Sequence, residues 1–528
     1  MPPDFPNTNV KSVASWSNYS GTISNRPIPV YCTPQGGTDV SILRSHGDAI
    51  RSILRYCFTQ NPPASLRSLG STWSFSRIIE PGGVVLDPAN LTYIERVPPE
   101  LFSPAYQTRA GQGFAPMFIE GGTQIASINR RLASDVRLAL QTSGAGDGHR
   151  LAGCIATGTH GSAIGIGALH DTVLGVYLVV GPDRALFVQA ASAPFAGDAT
   201  ATWLQGQTGI PTATISDDEA LGAVLVSLGS LGVVFGAVVE TVPLYRFKVM
   251  TFGRLWNDPQ VWTAIRTLDT SALHPDVPDA PYHFGVVMHP YPPDGGNGAF
   301  VTMMWKTAAD GVAATTPFPG IPVASSDLMG LVSKLTQALG GRLTAGLELK
   351  ILQGLITEQL GSGAASNSEG FPGEVFGPTT LPPGTGASTE IVVNQVDAER
   401  ALKVVYSVLD QLKARGLFLL GGIGVRFVPQ TKSLLGMNIF PMNCYIELPS
   451  IRNDDVLSVY KEVWNAIEQA GIAFTCHWGQ LHGMTPARLA NYFGNRAVAW
   501  KGARAQLLDE TGRKVFAAPI LSEVGLDA

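Results

Sequence analysis

RSLGSTWSFS, residues 67–76, and GCIATGTHGS, residues 153–162, are the stretches on which the fold turns. Both are built from glycine and small hydroxyl residues, which let consecutive main-chain N–H groups turn inward around an anion such as a pyrophosphate. In the first, Arg67, Gly70, Ser71, Thr72, Trp73 and Ser74 are the candidates for nucleotide contact. In the second they are Gly153, Thr157, Gly158, Thr159, His160 and Gly161, with the small residues Gly144 and Ala145 just before. Neither stretch is the GxGxxG of a dinucleotide-binding turn. Two such clusters about ninety residues apart could close on one extended dinucleotide from opposite sides. Each has a plainer reading as well, the first as a Ser-rich turn and His160 as a satisfied core histidine.

Composition narrows the classes around these clusters. Only 15% of the 528 residues are charged and 45% are apolar, which excludes global disorder. Thirty-six Lys and Arg against 41 Asp and Glu give a net charge of −5, with no basic tract to neutralise a row of phosphates, so nucleic acid is not an expected partner. Five cysteines form no CxxC pair, and no spacing suggests a metal site; they read as reduced thiols of a cytoplasmic protein. The N-terminus offers no signal-peptide pattern. Leu221–Val239 carries no charge, but Gly222, Gly229, Gly232 and Gly236 interrupt it and no basic residue flanks it closely, so it predicts a buried helix–turn–strand rather than a membrane span.

Along the chain, Asp39 is placed to cap a helix that apolar spacing carries to the prolines at 62–63. The runs SLRSL, VVLD and LTYIE follow as short strands, and LGVYLVVGPDRALFVQA as two strands about a turn. The character changes after Pro243. FGVVMHP, AFVTMMW and EIVVNQV read as apolar strands, and residues 326–360, 397–415 and 453–471 as helices. The stretch 361–389, rich in Gly, Ser and Pro, is expected to be a long mobile loop, a lid or a plain disordered insertion.

The ordered set RSLGSTWSFS, GTQIASINRRL, LAGCIATGTHGS and SLGSLGVVFGAVVETVP resembles the flavin domain of the vanillyl-alcohol-oxidase superfamily, the PCMH-type FAD fold. The aldonolactone and alditol oxidase branch is the most similar part, through GIGVRFV, CYIEL, CHWGQLHG and the terminal RAQLLDETGRKVF. The resemblance implies an α+β protein with a two-subdomain FAD-binding domain over residues 1–245. A substrate domain of antiparallel sheet and helices over 246–475 would follow, and 476–528 would complete the FAD domain. It also implies that main chain near Val233 and Val234 meets the flavin, and that the nucleotide contacts named above, with His477, surround FAD. In the family the first motif reads RAVGSGHSFS, and its histidine commonly bonds to the flavin. Here Thr72 stands at the glycine and Trp73 at the histidine, so FAD is expected to be non-covalent. Cys154, in what reads as an apolar strand, is not expected to replace that link.

The substrate side departs further from the family. Relatives of the branch carry Glu-x-Arg on one strand and a lysine closing HWGK. This chain has Gly424, Val425 and Arg426, then Glu447 on the next strand, and Gln480 closing HWGQ. Arg426 is expected to stabilise developing negative charge, while Glu447, or else His477 or His482, accepts a hydroxyl proton. A structural Arg426–Glu447 ion pair is the plainer alternative. The implied activity is hydride transfer from a CH–OH donor (alcohol, lactone or secondary metabolite) to FAD, with O2 favoured as acceptor. Oxidative cyclisation or desaturation, and an inactive flavin-binding scaffold, are the alternatives.

Overall fold

The computed structural model describes residues 3–197, 199–275, 279–309, 349–360, 363–376, 386–453 and 455–527. Its mixture of helices and sheets is the α+β class expected, organised on three sheets of four, seven and eight strands.

The antiparallel hairpin of Thr8–Trp16 and Arg26–Pro34 continues through parallel Val84–Leu86 to Leu66–Ser68, which places RSLGSTWSFS at the end of a strand. Helix Ile42–Thr59 buries Leu43, Ile50, Ile53 and Leu54, the residues whose spacing predicts it. It starts later than Asp39 suggests: Ser41 is the N-cap, and the Asp39 carboxylate accepts the Ser41 amide at 2.9 Å in a turn that leads into the helix.

In the seven-stranded sheet, Leu221–Val239 resolves into helix Asp218–Leu225, a turn through Leu228, Gly229 and Gly232 at positive φ, and strand Val233–Pro243. That strand pairs with Val173–Gly181 on one side and Ala115–Glu120 on the other, which accounts for its unbroken apolar character. Among the described residues no helix is long and apolar enough to cross a membrane. One local expectation is corrected here. LAGCIAT is the helix Leu151–Thr157, closed by Gly158 in the left-handed conformation, and Cys154 lies buried on it.

The eight-stranded sheet holds the expected apolar strands as His283–Met288, Asn297–Ala308, Gly386–Asn394, Ile423–Pro429 and Met442–Ile451. Helices Ala398–Ala414 and Val456–Gln469 pack together beside it. Trp464 of the second donates to Thr389 Oγ1 at 3.1 Å, so the helix covers the face bearing Thr389 and leaves the face of Ser388 and Glu390 to the rest of the protein. Of the helix expected over 326–360, Leu349–Leu360 is present and the remainder lies outside the described residues. The stretch 361–389 is not a plain loop. Ser366–Gly370 pairs as an edge strand with Tyr245–Leu255, a short helix Pro372–Val375 follows, and strand Gly386–Asn394 begins within the span; 361–362 and 377–385 lie outside the described residues. Polar composition misleads at that place because an edge strand needs no apolar face. At the C-terminus, helix Asn495–Leu507 packs on Asp218–Leu225 and Glu510–Val515 on Ile42–Thr59.

The contact between Ile42–Thr59 and helix Ala199–Thr208 depends on Gly47, where a Cβ would stand 2.0 Å from the Thr208 carbonyl oxygen. Gly47→Ala therefore has to separate two main chains. Denaturant unfolding should show a loss of about 1–3 kcal/mol, the usual cost of overpacking, in place of the small gain that Gly→Ala brings at an open helix position.

Candidate active site

The two small-residue clusters meet. A Cβ on Gly70 or Gly153 would lie 3.5–3.6 Å from the Cα of the other, so the two main chains pass within van der Waals reach of one another. Ser71 Oγ donates to the Gly148 carbonyl at 2.8 Å, and the first loop is pinned to the HWGQ turn by Phe75 N–H to Gly479 O at 2.7 Å and Ser76 Oγ to Trp478 O at 2.5 Å. One elongated cavity runs between them. Arg67, Gly70, Ser71, Thr72, Trp73, Ser74, Ala145, Gly153, Thr157, Thr159, His160 and Val234 line it, and it continues to Arg426, Glu447, His477 and Gln480.

Gly144, Gly158, Gly161 and Val233, also expected at the cofactor, do not line it. The first two serve turn geometry at positive φ, and Gly161 packs its main chain on Gly144. Val233 points away because neighbours on a strand alternate faces. Arg67 is present but spent: its guanidinium donates to the carbonyls of Gly229 at 3.0 Å, Leu228 at 2.8 Å and Ile78. Burial without a carboxylate lowers its pKa to about 10. Thr72 has φ 60, the conformation that the glycine in the related motif would adopt freely. Trp73 packs edge-on to His149 with centroids 4.7 Å apart, and Gly148 makes room for the indole. His149, buried and held below the ordinary histidine range by desolvation, is a cavity residue that sequence reasoning passed over.

At the far end, register assembles the polar groups. Gly424 lies directly opposite Glu447, and Glu447 opposite Glu390 on the next strand, so these positions and Arg426 share one face. Glu447 therefore presents its carboxylate across the ladder from Gly424, where the family resemblance leads one to expect a glutamate. Arg426 Nη1 donates to Glu447 Oε2 at 2.6 Å and meets Glu390 Oε1 at 3.4 Å. Ser388 Oγ at 3.2 Å and Gln480 Nε2 at 3.1 Å both donate to Glu447 Oε1. Glu390 was not singled out by the sequence; it is 1% exposed, and its Oε2 lies 2.9 Å from His160 Nε2. His160 Nδ1 lies 2.9 Å from the Gly161 carbonyl, so both its nitrogens face acceptors. His482, the last candidate base, is buried beside Trp478 and does not line the cavity.

Burial pushes the Glu390 carboxyl upward, but His160, His477 and Arg426 overrule it and hold it at about 2. Burial would lower the Arg426 guanidinium, and its two carboxylates raise it instead. His477 is lowered to about 4 by desolvation, so at neutral pH it is uncharged. One nitrogen of each of His160 and His477 and an oxygen of Glu390 lie within 4.8 Å of one another. That spacing would also suit a metal ion, which the adjoining Arg426 charge opposes.

No protein-family model matches the chain. Over 158 residues, 29% of its length, it is 28% identical to the D-arabinono-1,4-lactone oxidase of Candida glabrata, of which the match spans 25%. Over 424 residues it is 24% identical to the L-gulono-1,4-lactone dehydrogenase of Mycobacterium tuberculosis, covering 80% of this chain and 82% of that one. Among solved structures, cholesterol oxidase from B. sterolicum superposes with a TM-score of 0.68 at 13% identity over 99% of both chains. A solvent-stable cholesterol oxidase superposes at 0.66 and 14% identity, over 99% of this chain and all of that one. The chain has the fold of these cholesterol oxidases, in keeping with the PCMH-type FAD-binding fold expected from its ordered motifs.

The residues present fit the FAD of this fold. Gly70 and Gly153 line the cavity with main chain alone, and the buried Arg67 charge has carbonyls as its partners, which an adjacent pyrophosphate would compensate. The Glu390 carboxyl also predicts acid behaviour. A carboxyl held below its ordinary 4.5 stabilises the folded state fully above that value, and the contribution is lost as pH falls through the folded pKa near 2. Glu390→Gln should therefore melt below the parent at pH 6, with the gap narrowing as pH is lowered from about 4.5.

Proposed function

We propose that the protein is an FAD-dependent oxidoreductase that oxidises a neutral CH–OH donor, with residues 1–245 and 476–528 holding the cofactor and 246–475 the substrate. The observation that carries this reading is the continuous cavity. One end has the glycine cradle suited to a dinucleotide, and the other has a buried guanidinium between two carboxylates where a hydroxyl could react. Relatives named for lactone oxidation and structures of cholesterol oxidases support it. Bound FAD supplies the two-electron acceptor; the side chains bind, orient and move the proton.

In this reading Arg426 stabilises negative charge growing on the carbinol oxygen in a water-poor pocket. Glu447, expected from the sequence as the base, anchors that cation and is itself held by Ser388 and Gln480. Arg426 and His160 are already paired with Glu390 and Glu447, and His477 is uncharged, so among the described residues the reacting end holds no spare cation for an anionic substrate. The substrate class is therefore a neutral alcohol, polyol or lactone. Anaerobic bleaching of the flavin band tests this: an aldonolactone should bleach it faster than its ring-opened aldonate. A faster aldonate would exclude the assignment.

The cofactor is held without a covalent bond, because the indole of Trp73 cannot supply the nucleophilic imidazole nitrogen that attachment at this position requires. Acid precipitation should release yellow flavin into the supernatant. A coloured pellet, with a peptide heavier by the mass of FAD, would contradict it. Ala145 and Gly146, the members of the small-residue stretch that line the cavity, would leave space beside a bound flavin, which favours O2 as acceptor, so reduced protein mixed with aerated buffer should reoxidise within seconds and release peroxide. The five free, buried cysteines suit a reducing compartment such as the cytoplasm.

A further inference from the structure

We propose that Glu390 and His477 are catalytic residues that hold the reacting hydroxyl between them, Glu390 taking its proton and the Nε2–H of His477 donating to its oxygen. The inference rests on the oxidoreductase reading and assigns its two central roles.

The tautomer of His477 comes from its neighbour. Its Nδ1 accepts the Gly479 main-chain N–H at 3.0 Å, and an accepting ring nitrogen is bare, so the single proton of the neutral ring sits on Nε2. Turning the ring over would set the Gly479 amide against a carbon. The absence of a side chain at Gly479 lets the imidazole lie this close, since a Cβ there would stand 3.1 Å from His477 Cε1. With Nδ1 engaged and Nε2 protonated, the ring has no lone pair for a substrate proton and one N–H to give. Its role is donation, not the base catalysis that its proximity suggests.

The two carboxylates are not equivalent either. Glu447 receives Arg426 on Oε2 and both Ser388 and Gln480 on Oε1. Glu390 uses Oε2 for His160, while its Oε1 has Arg426 only at 3.4 Å, longer than an ordinary N–H···O bond. Glu390 Oε1 is thus the oxygen with acceptor capacity left. Glu390 and His477 both line the cavity, and one nitrogen of His477 lies within 4.8 Å of one carboxylate oxygen of Glu390, near enough for a single hydroxyl group to meet both side chains. A carbinol group placed there donates to Glu390 and accepts from His477. When it reacts, the O–H bond breaks and its proton passes to Glu390. The C–H bond breaks with its electron pair leaving for the flavin, and the oxygen's electrons close the C=O bond. The donor loses two electrons and the flavin gains them.

The test compares anaerobic flavin reduction, by a neutral donor that bleaches the parent, across variants whose FAD content and melting temperature are measured first. Glu390→Gln should slow reduction about 10²–10⁴-fold, and Glu447→Gln less than about tenfold. Glu390→Asp keeps the charge for Arg426 and His160 but draws the oxygen back; it covers a Gln variant that fails to fold and should lose about tenfold or more. His477→Leu should cost about 10²–10³-fold, whereas His477→Gln, whose amide N–H reaches the same place, should stay within about tenfold of the parent. A larger loss in Glu447→Gln than in the Glu390 variants, or equal losses in the two His477 variants, overturns the assignment. Imidazole 15N resonances of the flavin-loaded protein give a readout without turnover: His477 should carry its proton on Nε2, and a bare Nε2 overturns the donor role. If no alcohol or lactone bleaches the parent, the oxidoreductase reading fails, and the resonances still report on His477 independently.

Discussion

Arg426 is a full positive charge with 4% of its surface exposed, flanked on its own strand by the buried apolar residues Val425 and Phe427. Such a charge costs several kcal/mol to desolvate and persists only when paired and hydrogen-bonded. The surrounding arrangement answers that constraint. Glu447 and Glu390 come from two further strands, Ser388 and Gln480 hold the first carboxylate, and His160 holds the second. His160 belongs to the second small-residue cluster, so the same network ties the eight-stranded sheet to the two small-residue loops. Ser162 adds to this by accepting the Phe427 N–H at 2.8 Å, one residue from Arg426.

The nucleotide half follows another logic, in which side-chain chemistry matters less than the absence of side chains. Gly161 packs against Gly144 where a Cβ would crowd the Gly144 carbonyl at 3.2 Å, and Gly70 faces Gly153 main chain to main chain. Thr72 keeps the left-handed turn of the motif without the residue that adopts it at no cost, a strain of about 1 kcal/mol that the bonds to the Trp478–Gly479 turn and to Tyr19 offset.

Legibility divides along the same line. Local signals were sufficient for the helices at 398–414 and 456–469, the hairpin around 181–184 and the helix–turn–strand at 218–243, because each is set by spacing and turn residues within itself. The cavity contacts at Gly70, Trp73, Gly153 and Val234 were legible through ordered motifs. Glu390 was not. Its strand was recognised as EIVVNQV, yet a lone glutamate beginning an apolar run gains meaning only when the register with Glu447 is known, and no local signal encodes register. The solitary charge in a buried strand, two residues from Ser388, was the available clue. Likewise, that three donors reach the Glu447 carboxylate could not be read from the sequence, because they come from other segments of the chain. The Ser366–Gly370 edge strand was hidden by a polar composition that suits edges and loops equally.

The site draws on strands at 386–394, 423–429 and 442–451, a loop at 160 and a turn at 477, none of which can place a reacting group alone. Slipping any of these strands by one residue would turn its carboxylate or guanidinium to the opposite face. The constellation therefore has no partly built form. Its high contact order, with partners such as His160 and Glu390 separated by 230 residues, makes it a late product of folding. A refolding chain should regain secondary structure well before it regains a competent pocket, and the interval between the two measures how long the sheet takes to find its register.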